Sequence, residues 1–216
     1  MRNLRERLLL AAVLFLALIS AGAALPACAQ ERPTKTVEER PPADIYQLVR
    51  PRFLLNGKFV QANKLPKGDI ILVAGVTKEK DLVRVFTNKG EFLKWASQAE
   101  QGDALIRATR EMDERGAKKD SNDSKESDTG GVTPMAGVGW FYNGYNYSGA
   151  PTRPVASYPK LSWVNLDNKV SSVWVAGLIT VLCDSTWYGG SRIFLLSVAI
   201  PDLKVLNFDN RASSVY

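Results

Sequence analysis

Short apolar runs separated by turn residues fill much of this chain, which is a pattern typical of β-strands. The apolar residues between 53 and 60 flank Asn56-Gly57 and predict a β-hairpin, because Asn-Gly fits a tight two-residue turn. Two more short runs, 69–74 and 82–86, predict strands. Val138–Tyr142 is β-branched and aromatic, and it predicts another strand.

A helical pattern follows the first group of strands. Asn88 predicts a helix N-cap, and a Glu three residues later completes a capping box. Phe92 and Trp95 begin an apolar spacing near 3.6, and Gly102 predicts a break or kink. An aromatic stripe at helical spacing is usually core, so we interpret these two rings as buried and not as a recognition surface. Residues 45–116 are therefore predicted to form a small α+β unit.

The N-terminus has the pattern of a secretory signal peptide, residues 1–29. Arginines precede an apolar run at 8–19, and small residues lead to a cleavage position before Gln30. Leu25-Pro26-Ala27-Cys28 also resembles a bacterial lipobox, which would leave Cys28 as a lipidated N-terminus. The sequence thus predicts an exported bacterial protein without a membrane span, either secreted or periplasmic, or anchored as a lipoprotein.

Two polar segments separate the predicted domains. Residues 30–44 are charged and Pro-rich and are interpreted as a flexible spacer. Residues 117–132 are rich in charge, Ser and Gly, and they predict a disordered linker because they can bury little apolar surface. The remaining residues, 133–216, contain most of the Trp and Tyr and are predicted to be a second domain.

The amino-acid composition excludes several kinds of catalytic and metal-binding site. The 216 residues contain no histidine, which excludes His-based acid–base catalysis, Ser-His-Asp and Cys-His nucleophiles, and ordinary zinc sites. No Gly-rich phosphate loop or nucleophile elbow occurs, so a non-enzymatic protein is predicted. The net charge of +6 is spread thinly, and no Lys/Arg cluster implies nucleic acid. Cys183 lies in a predicted strand and is interpreted as a buried apolar residue, with an intermolecular bridge or reactive thiol as the alternative.

A six-residue pattern occurs twice in the C-terminal third, as Asp167–Ser172 and as Asp209–Ser214. Each copy follows an aromatic hairpin that ends in Gly, and the two glycines lie 41 residues apart. A period of about 40 residues with two matched landmarks indicates a duplicated supersecondary unit. Side-chain oxygens and loop carbonyls in these copies suit calcium, which prefers oxygen ligands. The hairpin landmarks are Tyr142, Tyr147 and Gly149 in the first copy, and Cys183, Tyr188 and Gly190 in the second.

These repeated residues resemble the signature of the βγ-crystallin family, two Greek-key motifs that form a small β-sandwich. The resemblance covers residues 138–216 and departs from the family pattern at Cys183, where an aromatic residue is expected. The predicted fold is mainly β: a C-terminal βγ-crystallin-like Greek-key β-sandwich preceded by a small α+β N-terminal unit.

The resemblance implies two calcium sites between the paired motifs. In the family, each site takes oxygens from one motif's acidic loop, a hydroxyl from the other motif and a hairpin carbonyl. Ser172 and Ser214 are expected to bond back to the folded hairpins. The implied ligands are Asp167, Asp209, Ser171 and Ser213, with Lys169 and Arg211 contributing backbone carbonyls, and Asn143 and Asp184 at the hairpin carbonyl positions.

Calcium binding is expected to be weak, about 10⁻⁵ to 10⁻³ M, because the sites contain few carboxylates and a basic residue at each third position. The alternative is that the loops are vestigial and their Asp and Asn make only Asx-type turns. The predicted function is a calcium-stabilised exported protein without enzymatic activity. The other hypotheses are a secreted peptidase inhibitor, since some small inhibitors resemble this fold, and a carbohydrate or cell-surface binding module that uses Trp163 or Trp187.

Overall fold

Two β-sheets pack face to face in the computed structural model, which describes residues 40–75, 79–118, 138–153, 157–177 and 179–216. The predicted signal peptide with Cys28, all of the spacer before residue 40 and the linker beyond residue 118 lie outside the described residues.

The first repeat begins with the strand predicted at 138–142, and further strands follow in both repeats. In the first repeat the strands are β6 (Val138–Tyr142), β7 (Pro151–Thr152) and β8 (Ser172–Ala176). In the second they are β9 (Thr180–Cys183), β10 (Arg192–Leu195), β11 (Val198–Ile200) and β12 (Ser214–Val215).

Each repeat places its third strand in the sheet of the other repeat. β11 leaves its own sheet and pairs antiparallel with β8. Tyr158 of the first repeat makes an antiparallel bridge with Val215 of β12, through backbone hydrogen bonds of 2.8 and 2.9 Å. This reciprocal exchange closes two Greek keys into one sandwich.

The N-terminal segment contributes strands β1 (Tyr46–Gln47), β2 (Arg52–Leu55), β3 (Lys58–Val60), β4 (Ile71–Ala74) and β5 (Leu82–Phe86). The predicted hairpin is β2–β3, and its turn residues Asn56 and Gly57 have φ of 53° and 75°. Positive φ at both residues fits a tight hairpin turn. Both strands predicted between residues 69 and 86 are present.

These N-terminal strands extend the sandwich. β4 pairs in parallel with β10 over four residues, which gives a seven-stranded sheet ordered β12-β9-β10-β4-β5-β2-β3. β1 pairs in parallel with β11 and completes a five-stranded sheet ordered β1-β11-β8-β6-β7. The sequence analysis separated 45–116 from 133–216 as two domains; in the structure they share a sheet and a core, and they cluster as one compact unit.

Two helices cover the outer face of the seven-stranded sheet. α1 is Lys89–Ala96 and α2 is Gly102–Ala117. Asn88 caps α1 by accepting a hydrogen bond from the Glu91 backbone amide at 2.8 Å. A Cβ at Gly102 would lie 1.7 Å from the Ala96 carbonyl oxygen, so the chain turns at this glycine and starts a second helix. Both predictions, the cap and the break, are confirmed.

The result is three layers with two apolar interfaces. Between the sheets, Leu72, Leu182 and Ile193 from one sheet meet Val173 and Val198 from the other. Alternate residues of the same strands point outward and meet the helices, and this second cluster includes Val73, Val181, Cys183, Phe194, Phe92, Leu105 and Met112. The central strands are apolar on both faces because both faces are covered. Neither helix in the described ranges has the length and apolar content that a membrane span requires.

Candidate metal centre

The two six-residue copies are corner loops that lie against each other. Asn168 and Asn210, at the second position of each copy, have φ of 52° and 53°, a left-handed conformation that Asn tolerates. The backbone amide of Asn168 donates to the Ala212 carbonyl at 2.9 Å, and the backbone amide of Asn210 donates to the Val170 carbonyl at 3.0 Å. Each loop is therefore held by the end of the other.

The serine hydroxyls cross between the motifs. Ser171 donates to Asn210 Oδ1 at 3.2 Å, and Ser213 donates to Asn168 Oδ1 at 3.4 Å. Both serines are buried. The resemblance implied the exchange of hydroxyls, but it did not include the two asparagine amide oxygens that these hydroxyls contact. The sequence feature that could have identified these two asparagines is that each is the second residue of an Asp-Asn pair.

Both aspartates that begin the loops have a buried and unpaired oxygen. Asp167 Oδ1 and Asp209 Oδ1 are shielded from solvent and have no hydrogen-bond partner within the described residues. The other oxygen of Asp209 accepts from the Tyr145 hydroxyl at 2.9 Å. A buried carboxylate oxygen without a donor is costly, because nothing replaces the water that it loses. Two such atoms at equivalent positions fit a hard cation bound between the motifs.

The hairpin positions lie beside the same serines. The backbone amide of Ser171 donates to the Tyr142 carbonyl and that of Ser213 to the Cys183 carbonyl, each at 2.8 Å. Asn143 and Asp184 follow these carbonyls directly in the chain.

A positive φ at a glycine closes each hairpin. Gly149 has φ +85°, and a Cβ there would lie 2.0 Å from Asn143 Oδ1. Gly190 has φ +68°, and a Cβ there would lie 1.9 Å from Asp184 Oδ1. Left-handed geometry and close approach therefore both require glycine.

Ser172 and Ser214 tie the hairpins to the sheets, in the way the resemblance implied. Ser172 donates to the Gly144 carbonyl at 2.6 Å and accepts from the Tyr147 amide at 3.0 Å. Ser214 makes the same pair of bonds, donating to the Ser185 carbonyl and accepting from the Tyr188 amide.

These contacts divide the predicted ligands into two groups. Ser171 bonds to Asn210, next to Asp209, and lies beside the Asn143 hairpin; Ser213 bonds to Asn168, next to Asp167, and lies beside the Asp184 hairpin. The first group would form the expected Asp209 site together with the Arg211 and Asn143 carbonyls, and the second would form the expected Asp167 site together with the Lys169 and Asp184 carbonyls. Within the described residues no cluster of three or more Cys, His, Asp or Glu side chains occurs, so carbonyls and hydroxyls would have to supply most ligands.

Lys169 and Arg211, the basic residues at the third position of each copy, have different hydrogen-bond partners. Lys169 donates to Asn165 Oδ1 at 2.6 Å, within its own corner. Arg211 donates to the Asn207 carbonyl at 2.7 Å and also forms an ion pair with Asp184 Oδ2 at 2.6 Å. The guanidinium therefore places a positive charge against a residue of the Asp167 site.

Cys183 is fully buried and is a free thiol. Burial raises the pKa of this thiol to about 12, so the reactive thiolate is disfavoured. These findings agree with the interpretation of Cys183 as an apolar core residue.

Of the two tryptophans proposed for glycan contact, Trp163 is 53% exposed. Trp187 is half-buried, with the Lys160 ammonium 5.7 Å from its ring.

No family model and no curated protein matches this sequence. Among solved structures, it is similar to a βγ-crystallin from an archaeon, at 23% identity and a TM-score of 0.35, covering 38% of this chain and 96% of that one. It is also similar to a protein solved in work on the evolution of the eye lens βγ-crystallin domain fold, at 22% identity and a TM-score of 0.35, covering 41% and 90%. The N-terminal domain of protein S is similar at 20% identity and a TM-score of 0.31, covering 36% and 91%.

The fold of the repeated segment follows from its own contacts. Third strands are exchanged between two consecutive motifs, each motif has a glycine-closed aromatic hairpin, and a serine ties each hairpin to the following strand. Residues 138–216 therefore form a βγ-crystallin-like sandwich of two Greek-key motifs.

Proposed function

We propose that this chain is an exported, non-enzymatic protein whose C-terminal sandwich binds calcium weakly between its motifs and is stabilised by it. The observation that carries the proposal is the pair of buried, unpaired oxygens, Asp167 Oδ1 and Asp209 Oδ1. They occupy equivalent positions of a twofold repeat, and each belongs to a loop whose neighbouring asparagine receives a serine hydroxyl from the other motif.

Calcium suits these groups better than other common metals do. It accepts carboxylate, carbonyl and hydroxyl oxygens together, in flexible geometry, whereas magnesium demands near-octahedral geometry and zinc prefers nitrogen and sulfur. One carboxylate from each corner loop gives low ligand charge, which favours an affinity of about 10⁻⁵ to 10⁻³ M. Calcium would stabilise the folded chain but would not be needed to form the loops, because backbone hydrogen bonds already hold them.

The test is thermal unfolding of the secreted chain in EDTA and in calcium chloride. With a Kd of about 10⁻⁴ M at each of the two sites, calcium at about 5 mM stabilises the folded state by roughly 2 kcal/mol per site, or roughly 4 to 5 kcal/mol in total. We expect a rise in melting temperature of roughly 10 to 15 °C. Asp167→Asn and Asp209→Asn should each remove about half of the rise, and the double variant should remove it.

Asp103→Asn is the matched control, because Asp103 is an exposed carboxylate on α2, outside both corner loops. It should show the full calcium response. A melting temperature that is the same in EDTA and in calcium would overturn the proposal.

A glycan-binding function is the second candidate, and the exposure of Trp163 favours it. Trp163→Ala should abolish retention on immobilised glycans and leave the calcium response unchanged. Peptidase inhibition stays a prediction that inhibition assays against secreted peptidases would test.

A further inference from the structure

A basic pocket lies where the N-terminal segment meets the second Greek key. It has a volume of about 480 Å³. One wall is the loop at 62–68, and the other is the second motif's corner, residues 204–211. This volume is within the range of small-molecule sites, which is about 300 to 1,000 Å³. The pocket shares Arg211 with the Asp209 site, which would use only the backbone carbonyl of that residue.

The charge of this pocket has one sign. Lys67, Lys204 and Arg211 line it, and no acidic residue does. Lys67 is exposed and makes no ion pair or hydrogen bond within the described residues. The Lys204 ammonium lies 4.3 Å from the centre of the Tyr145 ring, and the nearby carboxylates of Asp209 and Asp202 offset part of its charge. Arg211 is partly neutralised by Asp184. The pocket therefore offers an anion the full charge of Lys67 and part of the charges of Lys204 and Arg211.

Neutral hydrogen-bonding groups complete the walls. Asn63 and Asn207 line the pocket together with Ser191. Ser191 is buried, and its hydroxyl oxygen accepts from the Ile70 amide at 3.4 Å, which joins the N-terminal segment to the second motif. Cations and amides around a cavity of this size suit an anionic oxygen group attached to a polar body.

The first motif lacks the pair of cations that lines this pocket in the second motif. In the first motif, Ser162 occupies the position of Lys204, Asn165 that of Asn207, and Lys169 that of Arg211. The first corner therefore has one cation, Lys169, where the second corner has two, Lys204 and Arg211. Of the two corners, the second is the one that lines this pocket together with the loop at 62–68. The asymmetry gives the N-terminal segment a role beyond covering the sheet.

We propose that the basic pocket binds a small molecule of sugar size that carries a phosphate or sulfate ester. The ester would lie between Lys67, Lys204 and Arg211, and the asparagines would contact the polar body. The two esters share the chemistry that the pocket recognises, and a binding experiment distinguishes them.

The experiment is isothermal titration of the full secreted chain with glucose 6-phosphate, glucose 6-sulfate and glucose, all in EDTA so that calcium contributes nothing. At least one ester should bind, glucose should not, and affinity should fall as salt rises. Lys67→Gln and Lys204→Gln should each weaken binding by roughly fivefold, the upper range for one exposed charge pair. Lys94→Gln is the control, because Lys94 is exposed on α1 and does not line the pocket, and it should bind like the parent.

Two results would overturn the proposal: no binding of either ester, or equal binding by the parent and the Lys67→Gln/Lys204→Gln double variant. Both lysines are exposed, so their variants should keep the parent melting temperature. Because the titration is carried out in EDTA, its outcome is independent of whether the chain binds calcium.

Discussion

Lys169 and Arg211 occupy the same position in the two corner loops, yet only Arg211 reaches a residue of the other predicted metal site. Its guanidinium pairs with Asp184 at 2.6 Å, whereas the Lys169 ammonium stays on Asn165. A unit charge about 7 Å from a divalent ion costs roughly 5 kcal/mol at an effective dielectric of about 20, before screening. The Arg211 side chain is 40% exposed, so solvent reduces this penalty strongly.

Replacing Arg211 should therefore improve calcium binding. We expect Arg211→Gln to raise affinity at the Asp167 site by roughly tenfold, since it removes the repulsion and frees the Asp184 carboxylate. Lys169→Gln should change affinity by roughly twofold or less. Calorimetric titration with calcium measures both, and equal effects of the two substitutions would contradict the structural difference.

Glycine at the end of each hairpin supports a second prediction. In Gly190→Ala the new Cβ would lie 1.9 Å from Asp184 Oδ1, which is already held by the Ser191 amide at 2.8 Å. Moving the carboxylate breaks that bond, so we expect a loss of about 3 kcal/mol in unfolding free energy.

Gly57→Ala is the control for this substitution. Gly57 has φ +75°, but no atom lies within 4 Å of an added Cβ. Only the backbone cost of about 1 kcal/mol should remain. Urea denaturation of both variants measures the difference, and equal losses would show that close approach contributes nothing at Gly190.

For individual residues, the sequence predicted which positions have a structural role better than it predicted which side chains contact each other. The spacing of the repeats located Gly149, Gly190, Ser172 and Ser214, because each has a local backbone requirement. The Arg211–Asp184 pair joins residues 27 apart, and no local pattern specifies it. The local sequence also does not reveal the unpaired aspartate oxygens, because their burial depends on the packing of the whole sandwich.

Among the elements, α1 packs against the sheet through two rings: Phe92 contacts Phe86 and Phe194, and Trp95 contacts Phe86. Phe92 is fully buried and stacks on Phe194 of β10, with ring centres 5.0 Å apart. Phe92→Ala should cost about 3 to 5 kcal/mol, the usual range for truncating a buried Phe. Phe59→Ala is a matched control, since Phe59 is 62% exposed, and it should cost about 0.5 kcal/mol or less. Chemical denaturation compares them, and similar costs would argue against α1 as a packed cover.

Element positions were largely predictable, and their partners were not. The hairpin, the strands at 71–74 and 82–86, the helix cap and the break at Gly102 all have local signals. The parallel pairing of β4 with β10 joins residues about 120 apart, and the sequence of a strand does not specify which distant strand it will pair with. The third strand of the first motif is a single bridge at Tyr158, too short for periodicity to reveal.

For the molecule as a whole, the shared sheet makes the two halves of the described chain depend on each other. β10 lies between β9 and β4, so removing the N-terminal segment would expose its backbone along four residues. The same removal would uncover Phe194, Val181 and Cys183, which pack beneath the helices. Exposed edges and large apolar patches both favour aggregation.

We therefore expect the fragment 133–216 to melt well below the full chain, or to aggregate and bind a hydrophobic dye. A control fragment, 40–216, retains both sheets and the helices and should unfold in one transition near the parent temperature. Scanning calorimetry and size-exclusion chromatography separate these outcomes. A monodisperse 133–216 fragment with the parent melting temperature would mean that the βγ-crystallin-like sandwich is self-sufficient and that the N-terminal strands only decorate its edge. The expected loss would instead mean that strands β4 and β5 and both helices are part of the stable core, so calcium binding has to be measured on a chain that contains them.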